Sequence, residues 1–278
     1  KNVLYWSTIQ VPGSWDLQGF DAPIYTDTSK YPWADNITPA NTSLTYLPIG
    51  LYRKEVDIPS DWNGSSVFIN FEGVSSAFYV YVNGNMVGYA EDSYTSSEFY
   101  ITPFLKAGEK NLISVKVFKF ADSSWIEAQD SMKLGGIMRD VYLYATPTCR
   151  ISDISVESSL DETFENAVVQ LNLKVQEYGK STKNDMVVKT TIYDQDGNVF
   201  AAENALSAKV SFDVSKTSDT YFAGKIGGRV RVSSPQLWTA ETPYLYTVVA
   251  KLCSADGTVI DTVSQRFGIR TTNVFSND

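Results

Sequence analysis

The chain has 278 residues, long for one domain and comfortable for two, and 43% of them are hydrophobic, enough for packed cores and too many for a disordered chain. A net charge of −9 argues against a nucleic-acid surface, which needs clustered Lys and Arg. No apolar run approaches the roughly 20 residues of a membrane-spanning helix, and histidine is absent, which removes Ser-His-Asp, Cys-His and histidine-metal chemistry.

Lys1 is not an initiator methionine and the sequence opens directly on an apolar segment, Val3 to Trp6, so we take it to be an excerpt of a longer protein. From Val11 to Leu47 it is rich in Pro, Asp and aromatics with little regular period, which reads as extended segments and loops laid over a first sheet. Strands follow at Leu51–Ile58, Ser66–Glu72 and Ala77–Val82. Asn83-Gly84 is a two-residue hairpin signal, because both turn positions favour positive φ, and Met86–Tyr89 is the returning arm. Phe99–Leu105 contains Pro103 and reads as an edge strand at best. Asn111–Phe120 sets Ile113, Val115 and Val117 on one face. A polar loop from Asp122 to Asp140 then crosses Gly135-Gly136 into a last strand, Val141–Ala145.

Pro147 marks the expected boundary between domain 1–147 and domain 148–278. Further strands are expected at Ile151–Val156, Val168–Val175, Val187–Tyr193, Val199–Ala202, Lys209–Val214, Gly228–Val232, Tyr244–Leu252 and Val259–Phe267, with turns at Asp196-Gly197 and Asp256-Gly257. Short alternating runs split by Gly, Pro, Asn, Asp and Ser give an all-β class. The first half fits a jelly-roll β-sandwich and the second an immunoglobulin-like β-sandwich without the Cys–Trp–Cys pattern of antibodies. Cys149 and Cys253 read as two separate buried thiols. Asn36, Asn41 and Asn63 open glycosylation sequons that matter only in a eukaryotic secretory context.

Any chemistry in such a chain rests on carboxylates. Glu127, Asp130 and Asp140 invite the idea of a glycosidase pair, but nothing marks a raised pKa, and Arg139 beside Asp140 argues for ionised, structural groups. Trp15, Tyr25, Tyr31, Trp33 and Trp125 offer a sugar-stacking platform, set against the commoner use of aromatics to fill β cores; Trp238 reads as a packing residue.

Gln129-Asp130 followed by Gly136-Ile137-Met138-Arg139-Asp140-Val141 resembles the large bacterial β-galactosidases of glycoside hydrolase family 2. So do V-P-G-S-W-D-L-Q-G-F-D-A-P-I-Y-T at Val11–Thr26, F-E-G-V-S-S-A-F-Y-V-Y-V-N-G-N-M-V-G-Y at Phe71–Tyr89, and P-Q-L-W-T-A-E-T-P-Y-L-Y at Pro235–Tyr246. The resemblance implies the N-terminal part of a retaining β-galactosidase: a sugar-binding jelly roll and an immunoglobulin-like domain, with the catalytic glutamates on a (β/α)₈ barrel that follows and no catalytic residue here. It implies that Asp130 contacts the sugar and binds sodium (magnesium being the alternative) in the full enzyme. Asp27 stands where the family has an asparagine near the galactose, with one extra residue before Tyr31, and Met132 departs from a position often aromatic. Implied partners are the galactoside, the chain's own barrel and, in an oligomeric full enzyme, further subunits. An independent carbohydrate-binding or adhesive protein is the competing reading, and the sequence leaves a bacterial compartment, cytoplasmic or secreted, open.

Overall fold

A computed structural model describes residues 3–26, 47–106, 108–127, 130–179, 186–210 and 221–272. The chain divides into two compact units, Lys1–Ala145 and Thr146–Asp278. Among the described residues both are built almost entirely from strands, and one α-helical turn, α1 at Ser124–Glu127, interrupts the first.

The first unit runs through β1 (Gly13–Ser14), β2 (Ile24–Thr26), β3 (Ile49–Val56), β4 (Ser66–Phe71), β5 (Val74–Ser75), β6 (Ala77–Val82), β7 (Asn85–Ala90), β8 (Ser97–Tyr100), β9 (Asn111–Phe118), β10 (Ser131–Lys133), β11 (Gly136–Ile137) and β12 (Val141–Thr146). An antiparallel sheet in the order β3-β9-β6-β7 and another in the order β12-β4-β8 enclose the core. Alternation dictates which residues meet there. Ile113, Val115 and Val117 of β9 and Phe78, Val80 and Val82 of β6 are buried in one cluster with Val67, Ile69 and Phe71 of β4. The β6–β7 hairpin turns at Asn83 and Gly84, both at positive φ (52° and 86°), the geometry that a two-residue turn requires. The Asn83 side chain also donates to the Phe104 carbonyl at 2.8 Å and accepts from the Leu112 N–H at 3.0 Å, tying the turn to its neighbours.

One local expectation changes. Pro103 ends strand pairing: β8 stops at Tyr100, and Thr102–Phe104 forms a 3-10 turn rather than edge strand. β4 is buried on both faces. On its outer face Phe68 lies 5.3 Å from Tyr144 and 5.5 Å from Tyr100 (ring centroids), and Asn70 donates to the Tyr142 hydroxyl at 3.0 Å. The tyrosines of β8 and β12 supply this second cover.

The second unit contains β13 (Cys149–Leu160), β14 (Asn166–Tyr178), β15 (Val187–Tyr193), β16 (Val199–Lys209), β17 (Tyr221–Ser233), β18 (Tyr246–Cys253) and β19 (Val259–Phe267). Sheets β13-β14-β17 and β16-β15-β18-β19 give the three-plus-four arrangement of an immunoglobulin-like sandwich. Val169, Leu171, Leu173 and Val175 of β14 share one core with Val188, Ile192, Val248, Ala250 and Leu252. The strands expected at Val199–Ala202 and from Lys209 are one continuous strand, β16, and residues 211–214 lie outside those described. Cys149 and Cys253 are free and buried; burial, with the Glu177 and Asp261 carboxylates behind it, pushes the Cys149 thiol up to about 12, so it is inert at neutral pH. Trp238 packs as expected: its side chain fills the space beside Gly268, the Arg270 guanidinium sits 4.8 Å from its ring, and its backbone N–H donates to the Ile269 carbonyl at 2.9 Å.

Candidate functional site

The described part of the aperiodic N-terminal segment, residues 11–26, folds around one carboxylate. Asp16 follows Trp15 into a 3-10 turn, Asp16–Gln18, and is only 5% exposed. Its Oδ1 is paired with the Lys119 ammonium, and its Oδ2 accepts the Gly135 N–H at 2.7 Å and the Ser14 hydroxyl at 3.0 Å. Lys119, 2% exposed, also donates to Asp21 Oδ2 at 3.0 Å and to the Ala22 carbonyl at 2.9 Å. Burial pulls the Lys119 pKa down, but the hydrogen bonds and charges of Asp16 and Asp21 outweigh it and leave it above the ordinary lysine value of 10.5. Lys119 directly precedes the long loop and Gly135 closes it. Asp16 therefore clasps both ends of the segment from Phe120 to Leu134.

Trp15 completes the clasp from the apolar side. It is 5% exposed and belongs to the core, so it is a packing residue and not part of a sugar platform. Its indole fills the space that Gly50 and Gly135 leave: a Cβ on either glycine would lie 2.3 Å from a ring carbon. The Trp15 backbone N–H donates to the Gly135 carbonyl at 3.1 Å, beside the β1–β11 pairing of Gly13 with Ile137 and Ser14 with Gly136. Gly136 itself has φ +136° and faces the Gly13 carbonyl. The two glycines thus make room for Trp15 and for a close backbone approach, beyond merely permitting a bend. Gly135→Ala should overpack this contact and cost about 1–3 kcal/mol, measured as a lower denaturation midpoint with unchanged m-value; an unaltered midpoint would show that Trp15 shifts without strain.

Within the loop, the α1 turn presents Glu127, whose Oε1 accepts the Ser93 N–H at 2.8 Å and whose Oε2 accepts the Ser93 hydroxyl at 2.6 Å. Arg139 donates to the Tyr94 carbonyl at 2.9 Å, and the N–H groups of Met138 and Arg139 donate to the Gly73 carbonyl at 2.9 and 3.2 Å. Ser93, Tyr94, Glu127, Lys133, Met138 and Arg139 line part of a cleft of about 250 Å³. Burial lowers the Lys133 pKa, against the pull of the Glu127 and Asp130 charges.

The loop's return begins as a two-stranded ribbon, β10 against β2, with Ser131 opposite Thr26, Met132 opposite Tyr25 and Lys133 opposite Ile24. Alternation puts Tyr25, Met132 and the preceding Asp130 on one face. Tyr25 is 63% exposed and Met132 54%, and the Tyr25 hydroxyl donates to Asp130 Oδ1. Asp130 itself is exposed. The result is an exposed carboxylate on a segment whose ends are both clasped in the core.

Residues 3–147 match the family model described as the sugar binding domain of glycosyl hydrolases family 2, and residues 149–270 match the next model of the same family. The chain belongs to glycosyl hydrolase family 2. It is 40% identical over 268 residues to a beta-galactosidase of Priestia megaterium, covering 96% of this chain and 25% of that one, and 39% identical over 271 residues to a beta-galactosidase of Clostridium acetobutylicum, covering 97% and 28%. It therefore spans about a quarter of the length of these family 2 relatives. Among solved structures it resembles a putative beta-galactosidase from Bacteroides fragilis, with TM-score 0.72 and 27% identity over 97% of this chain and 37% of that one. A Bacteroides uniformis beta-glucuronidase shares the fold at TM-score 0.71 and 24% identity, over 96% of this chain and 29% of its own.

Of the residues singled out in this family 2 chain, Tyr25 and Asp130 come together. Glu127 is engaged by Ser93, and Asp140 is exposed with its carbonyl accepting the Glu72 N–H at 3.0 Å. Asp27, Tyr31, Trp33 and Gln129 lie outside the described residues, as does the Trp125 side chain. Asp16, Lys119 and Ser93 were missed. Lys119 carried a usable signal, because it continues the inward series Ile113, Val115, Val117 and so places an ammonium where only a buried partner can hold it. Among the described residues no group of three or more His, Cys, Asp or Glu side chains could hold a metal ion. A single carboxylate such as Asp130 offers a hard oxygen of the kind an alkali or alkaline-earth cation takes.

Proposed function

We propose that these two β-domains serve a bacterial retaining β-galactosidase, with Asp130 bounding the pocket that receives the terminal galactose. The observation that carries this reading is the exposed Asp130 carboxylate, carried on a segment clasped at both ends. Support for the galactoside comes from the 40% and 39% identity to the two beta-galactosidases, since the fold is shared with a beta-glucuronidase and does not choose between sugars.

Retaining hydrolysis uses two carboxyl groups about 5–5.5 Å apart, one as acid/base and one as nucleophile. In this reading both belong to a barrel domain outside the 278 residues, and the family 2 sandwich supplies a wall. Asp130 accepts a hydrogen bond from a sugar hydroxyl and orients the ring for attack, without itself moving a proton. Its second role is to lend one oxygen to a sodium ion, or to magnesium, whose other ligands come from outside this chain. Asp27 is a second candidate for sugar contact. Partners are then the galactoside, the barrel and, in an oligomer, neighbouring subunits.

The test compares 4-nitrophenyl β-galactoside with the β-glucuronide on the full-length protein and on residues 1–278 alone. The full-length protein should turn over the galactoside with the higher kcat/KM, and the 278 residues should add nothing to the uncatalysed rate. Preference for the glucuronide would overturn the substrate, and turnover by the 278 residues would overturn the non-catalytic role.

A further inference from the structure

Tyr25 presents an unusual combination. It is an aromatic side chain left 63% exposed on a three-residue strand, and its hydroxyl is spent on the loop carboxylate diagonally across the ribbon. Register explains the reach. Tyr25 stands directly opposite Met132, and the diagonal neighbour two positions back, Asp130, is within range of a long aromatic side chain. Other tyrosine–carboxylate contacts occur in the same unit, Tyr89 with Glu91 and Tyr144 with Glu98, so such a pair by itself marks nothing. The first is local in sequence and the second joins strands on the outer sheet face. The Tyr25 contact differs in where it stands, on a segment whose two ends are fixed by Asp16 through Lys119 and Gly135. The clasp holds the two ends of the loop; it leaves the Asp130 side chain its own rotation. One hydroxyl donated to Oδ1 restricts that rotation, and a carboxylate tethered by one oxygen presents the other over a narrower range of directions.

We infer that Tyr25 is a positioning residue: its hydroxyl fixes Asp130 by Oδ1 so that Oδ2 is preorganised to accept the hydrogen bond of a sugar hydroxyl. This rests on the assignment of Asp130 as a sugar ligand. The effect is on affinity and orientation, because ordering a side chain before the ligand arrives removes that cost from binding. Tyr25→Phe keeps the ring and its place opposite Met132 and deletes only the donor.

The experiment is a double-mutant cycle on the full-length protein, with kcat/KM for 4-nitrophenyl β-galactoside and the melting temperature measured for Tyr25→Phe, Asp130→Ala and the double variant. Loss of one such hydrogen bond should lower kcat/KM of Tyr25→Phe about three- to tenfold, mainly through KM, with the melting temperature unchanged. Asp130→Ala should lose more. Because Tyr25 acts through Asp130, adding Tyr25→Phe to Asp130→Ala should cost nothing further, which is the non-additivity expected of a coupled pair. Wild-type kinetics in Tyr25→Phe, or the same cost in both backgrounds, would overturn the positioning role and leave the Asp130 assignment standing. Wild-type kinetics in Asp130→Ala would overturn both.

Discussion

Lys119→Met should unfold the first unit at a markedly lower temperature than any surface substitution of a lysine in this chain. The ammonium it removes answers two carboxylates, Asp16 with a fully buried side chain and Asp21 with a side chain 22% exposed. Deleting one partner of a buried ion pair leaves an uncompensated charge and costs about 3–5 kcal/mol, whereas replacing both partners by apolar groups is often close to neutral. For a unit of this size the loss corresponds to a fall of roughly 10–15 °C in the melting temperature. The double variant Asp16→Asn, Lys119→Met should recover part of it, since the introduced amide would still offer an oxygen to the Gly135 N–H without a stranded charge. Alkaline titration supplies a second readout. The folded pKa of Lys119 is raised, so its contribution is fully present below the unfolded value of 10.5 and disappears as pH climbs through the higher folded value. Lys119→Met should lack that alkaline limb. A melting temperature within a degree or two of wild type would mean that the clasp does not hold the unit together.

The clasp also shows what the sequence could and could not display. Strand β15 at Val187–Tyr193 and strand β19 at Val259–Phe267 fall where their alternation puts them, and the Asn83-Gly84 turn is where its dipeptide puts it, because period and turn chemistry are local. The segment from Val11 to Thr26 has no period. Its order comes from single ties to residues far along the chain, Asp16 to Lys119 across 103 positions and Asp16 to Gly135 across 119. No windowed pattern encodes such ties. The same reason explains Gly135: a glycine beside a glycine reads as a bend, and only the position of Trp15 against it shows that the missing Cβ makes room for an indole. For β4 the alternation Val67, Ile69, Phe71 identified the inward face. The burial of Phe68 and Asn70 depends on tyrosines brought by β8 and β12, which the β4 sequence does not contain. Asp130 was legible only through its motif. Polarity alone gave it no distinction from Asp122 or Asp140, and its exposure, its tyrosine partner and its clasped base are all tertiary facts.

Asp130→Asn is expected to separate function from folding more cleanly than any other change in the chain. The amide oxygen still accepts the Tyr25 hydroxyl, so the ribbon face keeps its shape, while the negative charge and one acceptor position are lost. If Asp130 binds the sugar as proposed, losing that charge-assisted hydrogen bond should reduce kcat/KM of the full-length protein on β-galactosides by about ten- to a hundredfold. Where sodium takes the same carboxylate, the variant should also need more sodium to reach its maximal rate, because the hard oxygen it keeps carries no charge. The melting temperature should move by no more than ~2 °C, since an exposed loop carboxylate contributes little to folding. The contrast with Lys119→Met is the decisive part. A clasp residue at the base of the loop and an exposed residue within it should fail in opposite ways, the first through stability and the second through transition-state binding. Unchanged kinetics in Asp130→Asn, or a melting temperature that falls as it does for Lys119→Met, would make Asp130 a structural residue and move the sugar contact elsewhere.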